Sequence, residues 1–262
     1  MITKTKLYNG DVELVFDSVK HTYEANGKIV FGVTSITGVL DKPALMYWSA
    51  NMGAEYADKV LVPGMVIDEL NKPAIIEGIK TAFRKKSKEA ADIGTAVHKY
   101  LEDYLNAGIN GEPLPEMPVN KHIKNAILAF LEWTKENKVK FVSAERKVYS
   151  KKHGYAGTLD ALGYVNGKLA IVDFKTSSGI YPEMFIQTSA YAQAVNEEDG
   201  TEIKDCYIVR VPKDGSEFEV QKDDHLDLNF KSFLGCLENY KRQMFMKGVE
   251  IEKYKKKLKE SM

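Results

Sequence analysis

The sequence predicts an α/β (α+β) fold with a central mixed β-sheet flanked by helices. Three observations predict it. Hydrophobic patterns run in the order β-hairpin, helices, β-β-β-α-β-β, helix. Two Asn-Gly pairs, Asn26-Gly27 and Asn166-Gly167, each join alternating segments, the strongest short hairpin signal. Composition is that of an ordinary globular chain: 44 % hydrophobic and 28 % charged over 262 residues. Collagen, a disordered tail and a disulfide scaffold are excluded.

The elements come in chain order. Residues 13–36 alternate, with a hairpin turn at Asn26-Gly27 between Thr22-Tyr23 and Ile29-Val30-Phe31. Thr34-Ser35 offers an N-cap for a short helix ending near Leu40. Residues 44–60 are expected to be helical. Pro63, Gly64 and Pro73 punctuate the next stretch. A helix is expected over about 87–107, because Ile93, Val97, Tyr100, Leu101, Tyr104 and Leu105 share one face. Gly108 is expected to end it. A Pro- and Gly-rich loop fills 108–118, and a helix over 119–137 buries Ile123, Ile127, Phe130 and Leu131. Strands are expected at 141–149, 156–165 and 168–175, then a helix at 182–196 and a hairpin of 206–211 with 217–221. A last helix starts near Asp227 and leads to a basic stretch at 253–259. The chain divides as an N-terminal hairpin and helical elaboration (1–90), a core (91–225), and a C-terminal helix with its tail (226–262), all within one domain.

Charge and cysteine counts narrow the chemistry. The 37 basic and 37 acidic residues balance, so any nucleic-acid surface has to come from local patches. Two cysteines, Cys206 and Cys236, cannot complete a zinc or iron–sulfur site. No apolar run approaches the ~18 residues of a membrane span. The first residues lack the apolar stretch of a signal peptide, and the cytoplasm is the default location.

The informative segment is Gly157-Thr-Leu-Asp160 with Asp173-Phe174-Lys175 after it. Centred on the Asn166-Gly167 turn, Asp160 and Asp173 are opposite positions on paired strands. Two carboxylates held together repel unless a cation lies between them. Oxygen ligands favour Mg²⁺ or Mn²⁺. Lys175, two residues beyond Asp173, shares its strand face. Taken alone, the triplet also fits an exposed Asp–Lys pair. Asp173, however, comes after Leu-Ala-Ile-Val, the run of a buried strand, where a charge is costly unless paired or metal-bound. On helices, His98 with Glu102 and Gln187 with Tyr191 are i, i+4 pairs; imidazole can be a metal ligand.

Together these residues resemble the PD-(D/E)XK nuclease superfamily, in its RecB-like branch. The order matches: Gly94-x-x-x-His98-x-x-x-Glu102, Glu145, Gly157-Thr-Leu-Asp160, Asp173-Phe174-Lys175, and Gln187-x-x-x-Tyr191. The run His21-Thr-Tyr…Val33-Thr34-Ser35 is also similar to small phage and mitochondrial single-strand exonucleases of that branch. The resemblance implies a restriction-endonuclease-like core. It implies a Mg²⁺- or Mn²⁺-dependent deoxyribonuclease, an exonuclease on single-stranded or end-opened DNA in replication, recombination or repair. His98, Asp160, Asp173 and the Phe174 carbonyl would hold metal, and Lys175 would position the attacking water. Gln187 and Tyr191 would support the site and contact DNA. Glu102 and Glu145 would act behind the metal ligands. Iron–sulfur members of the branch need four cysteines, so no cluster is expected.

DNA also requires cations and stacking rings. Lys151, Lys152 and Tyr155 are the first candidates, since their loop leads into the Asp160 strand. Arg84-Lys85-Lys86, Lys88, the 253–259 tail, Tyr47, Trp48 and Tyr181 are further ones. Partners would be DNA with free ends and replication or recombination proteins, with no membrane; the location would be the cytoplasm of a bacterial or phage-infected cell, or an organelle. The alternative is a non-catalytic nucleic-acid-binding or recombination accessory module. A third reading, Schiff-base chemistry at Lys175, would not need metal.

Overall fold

The computed structural model describes residues 1–247, so the basic stretch at 253–259 lies outside the described residues. The chain forms two compact units. One contains Met1–Leu40 together with the chain from Val97 onward; the other is Asp41–Ala96.

The first unit is built on a mixed sheet of nine strands among the described residues. Strands β1 (Ile2–Leu7), β2 (Val12–Asp17), β3 (Thr22–Ala25) and β4 (Lys28–Gly32) form an antiparallel meander. Asn26 and Gly27 both take positive φ, 48° and 72°, as a two-residue turn of the type that matches strand twist requires. The Asn26 side chain accepts from the Glu13 amide at 2.8 Å and donates to the Asp11 carbonyl at 3.0 Å, tying the turn to β2. Strand β1 is not legible in the sequence: its residues Thr3, Lys4 and Lys6 are solvated, and the segment carries no apolar alternation.

After β4 come α1 (Val33–Thr37), α2 (Pro43–Val60), α3 (Lys72–Asn110) and α4 (Lys121–Glu136). Then β5 (Lys140–Ser150), β6 (Tyr155–Val165) and β7 (Lys168–Lys175) form antiparallel neighbours. The β6–β7 turn is Asn166-Gly167, again with positive φ at both residues. Helix α5 (Pro182–Asp199) carries the chain over the sheet, so β8 (Asp205–Arg210) runs parallel to β7. Strand β9 (Glu219–Asp223) and helix α6 (Leu226–Met246) come next. The meander joins this sheet through β4, parallel to the start of β6 at Phe31↔Tyr155 and Gly32↔Ala156.

Helices cover both faces. On one, Val33 and Ile36 of α1, Ala190 and Tyr191 of α5, and Phe233 and Leu237 of α6 pack on Leu159 and Ile171. On the other, Val97, Leu101 and Leu105 of α3 with Ile127 and Phe130 of α4 pack on Ala161, Val165 and Val172.

Three helix boundaries differ from expectation. Helix α3 starts at Lys72, because Pro73 falls in its first turn, where the missing N–H costs nothing. It runs past Gly108 to Asn110, and Gly111 takes the positive φ instead. Helix α1 is capped by Gly32 rather than by Thr34 or Ser35, with no side-chain cap. Within the second unit, Gly53 brings α2 close to α3: a Cβ there would stand 3.2 Å from the Ile79 carbonyl oxygen.

Candidate active site

Strands β6 and β7 pair from the turn as far as Ala161↔Val172 and then part. The next opposed positions are Asp160 and Asp173. Instead of continuing the ladder, Asp160 Oδ2 accepts the Phe174 amide N–H at 2.7 Å. A carboxylate thus closes the fork between two strands. Asp160 also marks a change of side along β6. Leu159 joins the core under α5 and Ala161 joins the core under α3, although both would face one way in a regular strand.

Strand β5 is irregular at the matching position. Glu145 would be the cross-strand partner of Asp160, but it adopts φ 50° and makes no ladder pair with it. A non-glycine residue with positive φ inside a strand is a strained exception. Glu145, Asp160 and Asp173 therefore sit at matching positions on three adjacent strands. Burial pushes the Glu145 carboxyl up to about 7, with repulsion from Asp160 and Glu102 adding to it and Lys147 opposing it. Lys147 Nζ lies 3.9 Å from Glu145 and 5.4 Å from the centre of the Phe16 ring.

Asp173 is only 1 % exposed. Lys175 Nζ stands 2.5 Å from its Oδ2, a close ion pair at a buried oxygen. Burial pushes the Asp173 carboxyl up, Asp160 adds repulsion, and Lys175 counteracts both. Burial alone would push the Lys175 ammonium down; attraction from Asp173 and Asp160 outweighs it and holds Lys175 above its ordinary value. His98, on α3, places Nδ1 3.8 Å from Asp160 Oδ2. The His98 side chain is 35 % exposed and that of Lys175 19 %, so the site opens to solvent along that edge and closes at Asp173.

Behind the carboxylates, Gln187 Nε2 donates to the Tyr191 hydroxyl at 2.8 Å. Tyr191 is buried, and its ring lies against Gly157: a Cβ at Gly157 would stand 2.5 Å from the ring and 3.2 Å from Val33. The glycine three residues before Asp160 thus lets α5 approach β6. Gly157→Ala should cost about 1–3 kcal/mol by overpacking and displace Tyr191; urea denaturation beside the tyrosine near-UV signal checks this. A variant as stable as the parent would show that the ring has room to move.

The other sequence candidates divide. Tyr155, expected as a stacking surface for DNA, is wholly buried, and its hydroxyl donates to the Ala190 carbonyl at 2.8 Å. Its apolar strand position dominates over its loop neighbourhood. Tyr191, expected also to touch DNA, is likewise enclosed. Lys151 pairs with Asp11 at 3.4 Å and sits 4.2 Å from the centre of the Tyr8 ring; Lys152 is exposed beside it. Tyr155 is five positions before Asp160, roughly 16 Å along the strand. Glu102 pairs with Lys99 at 3.3 Å. Tyr181 is 39 % exposed, at the start of α5. Gly94 falls in the second unit together with Tyr47, Trp48 and the exposed cations Arg84, Lys85, Lys86 and Lys88.

Among the described residues, no three His, Cys, Asp or Glu side chains are arranged to hold a metal ion. The donor set still suits a hard divalent cation. Two carboxylates face each other across a fork, an imidazole adjoins one, and Asp173 Oδ2 is buried beside Lys175.

No family model matches the sequence. No curated protein matches it either. Among solved structures, an alkaline exonuclease (LHK-Exo) from Laribacter hongkongensis superposes with a TM-score of 0.35 at 13 % identity, covering 63 % of this chain and 86 % of that one. The same values hold for LHK-Exo in complex with dAMP. SSO0001 gives 0.31 at 11 % identity, over 73 % of this chain and 84 % of that one. Superpositions this loose carry no argument about fold or function, which rest on the chain's own residues.

Proposed function

We propose that the protein is a divalent-metal-dependent deoxyribonuclease that cleaves DNA from a free end. The observation that carries the reading is the buried Asp173–Lys175 pair facing Asp160 at the point where β6 and β7 part. Isolated buried carboxylates protonate. Here one is kept beside an ammonium and close enough to a second carboxylate, Asp160, to be repelled by it, an arrangement costly to fold and suited to binding a cation.

Asp160, Asp173 and His98 would hold the metal. When bound, a divalent ion lowers the pKa of water and polarises a phosphoryl oxygen. The chain's own residues do the rest. Lys175 brings a fixed positive charge to the open edge of the site, where a phosphate would enter, and stabilises charge that grows there during phosphodiester cleavage. The Phe174 N–H fixes the Asp160 carboxylate in place. Tyr191, oriented by Gln187 and seated on Gly157, closes the α5 side against water. Schiff-base chemistry is disfavoured, since it needs a neutral amine and Lys175 is held protonated.

The test is digestion of end-labelled single-stranded, duplex and circular DNA in Mg²⁺, Mn²⁺ or EDTA. Cleavage of ended DNA in metal, with circles resistant and EDTA silent, is expected. Binding without cleavage in either metal would leave the accessory-module reading. A companion prediction concerns the β5–β6 turn. Neutralising Lys151 and Lys152 together should flatten the salt dependence of DNA binding, Lys152 contributing more because Lys151 is already paired with Asp11. Each lost phosphate contact lowers the slope by about one. An unchanged slope would return both lysines to a structural role.

A further inference from the structure

Two clefts flank the β4–α1 junction of the first unit. One, of about 310 Å³, is bounded by Phe16, Thr34 and Gly157; the other, of about 350 Å³, by Lys20, Phe31 and Tyr240. They share His21, Gly32 and Ser35, so together they form one groove. Its inner end, at Gly157, lies three strand residues from Asp160, roughly 10 Å. Gly157 is the residue on which Tyr191 rests, and the next residue, Thr158, bonds the Tyr23 hydroxyl at 2.9 Å. From Thr158 to Asp160 is two strand residues, roughly 7 Å.

We infer that this groove holds the single strand of nucleic acid adjoining the bond to be cut. The inference rests on the nuclease reading and names where its substrate lies. The lining chemistry selects the occupant. Among the described residues, no carboxylate lines either cleft, although the chain as a whole is neutral. Lys20, His21, Thr34 and Ser35 offer a cation, an imidazole and two hydroxyls to phosphate oxygens, and all four are exposed. Phe31 and Tyr240 meet edge to face, 5.0 Å between ring centres, and present an aromatic wall to a base. Rings for bases beside donors for phosphates are the pairing by which single strands are held without sequence preference. A paired base has its faces covered by stacking neighbours, so the strand must be unpaired before its bases meet this wall.

The glycine at the junction fits the same use. A Cβ on Gly32 would stand 3.2 Å from the Tyr23 ring, so the glycine lets that ring pack against the junction that both clefts share. Ser35 is exposed, so a large side chain there fills the groove without entering the core.

The probe is a fluorescein-labelled twelve-nucleotide single strand, with affinity read by anisotropy in EDTA. Ser35→Trp and His21→Ala should each weaken binding several-fold, and the double variant about tenfold or more, with unchanged melting temperature. In parallel, a strand carrying 5-iodouracil should photocrosslink to the peptides bearing His21–Phe31 or Tyr240. Unchanged affinity in the folded variants, or crosslinks confined to other surfaces, would overturn the groove. Cleavage by the parent protein in Mg²⁺ is measured separately. If the parent cleaves but the variants bind normally, the groove fails and the nuclease reading stands. If the parent does not cleave but crosslinks map to the groove, the nuclease reading fails and the groove stands.

Discussion

Lys175→Ala should lower single-turnover DNA cleavage by on the order of 10²–10³, the usual loss when one preorganised electrostatic stabiliser is removed. DNA binding should stay close to that of the parent, because the groove residues and surface lysines are untouched. Lys175 reaches the open edge of the site while its ammonium stays within 2.5 Å of Asp173, so it serves both the fold and the reaction. Lys175→Arg should not restore activity: a planar guanidinium is larger and spreads its charge over a fork that the compact site does not match. The check is rapid-quench cleavage beside anisotropy for each variant. Near-parental cleavage by Lys175→Ala would remove this residue from the mechanism.

Asp173→Ala should have the larger effect. It removes a metal ligand and leaves the Lys175 ammonium enclosed without its partner. Breaking one side of a buried pair typically costs about 3–5 kcal/mol; the partial exposure of Lys175 places the expected loss at the low end of that range. Cleavage and metal binding should both disappear. Adding Lys175→Met should recover much of the stability and none of the activity, because the orphaned charge is then gone as well. Urea unfolding separates the outcomes. An Asp173→Ala protein as stable as the parent would mean that the pair is not buried in solution.

Much of this centre is legible in the sequence because hairpin arithmetic is rigid. Asn166-Gly167 sets the turn, and that fixes every opposed pair down to Asp160 facing Asp173. The apolar run before Asp173 marks the strand as enclosed, as it is. The features that cannot be read depend on tertiary contact. Nothing local marks Glu145 for positive φ, which falls at the position matching the change of side at Asp160. Gly157 stands out in the sequence only as part of a motif. Its reason, the ring of Tyr191 more than thirty residues on, is visible once α5 packs on β6. Tyr155 beside a lysine-rich turn looks exposed, whereas strand alternation turns it into the core. The start of α3 is hidden by Pro73, a residue that usually breaks helices but is at home in a first turn.

The most direct measurement is single-turnover cleavage of one end-labelled single strand by the parent protein and by Asp173→Ala, each in Mg²⁺ and in EDTA. The expected result is product from the parent in Mg²⁺ alone, and none from the other three reactions. Cleavage that persists in EDTA, or that survives loss of Asp173, would contradict a metal-dependent centre built on the Asp160–Asp173 fork.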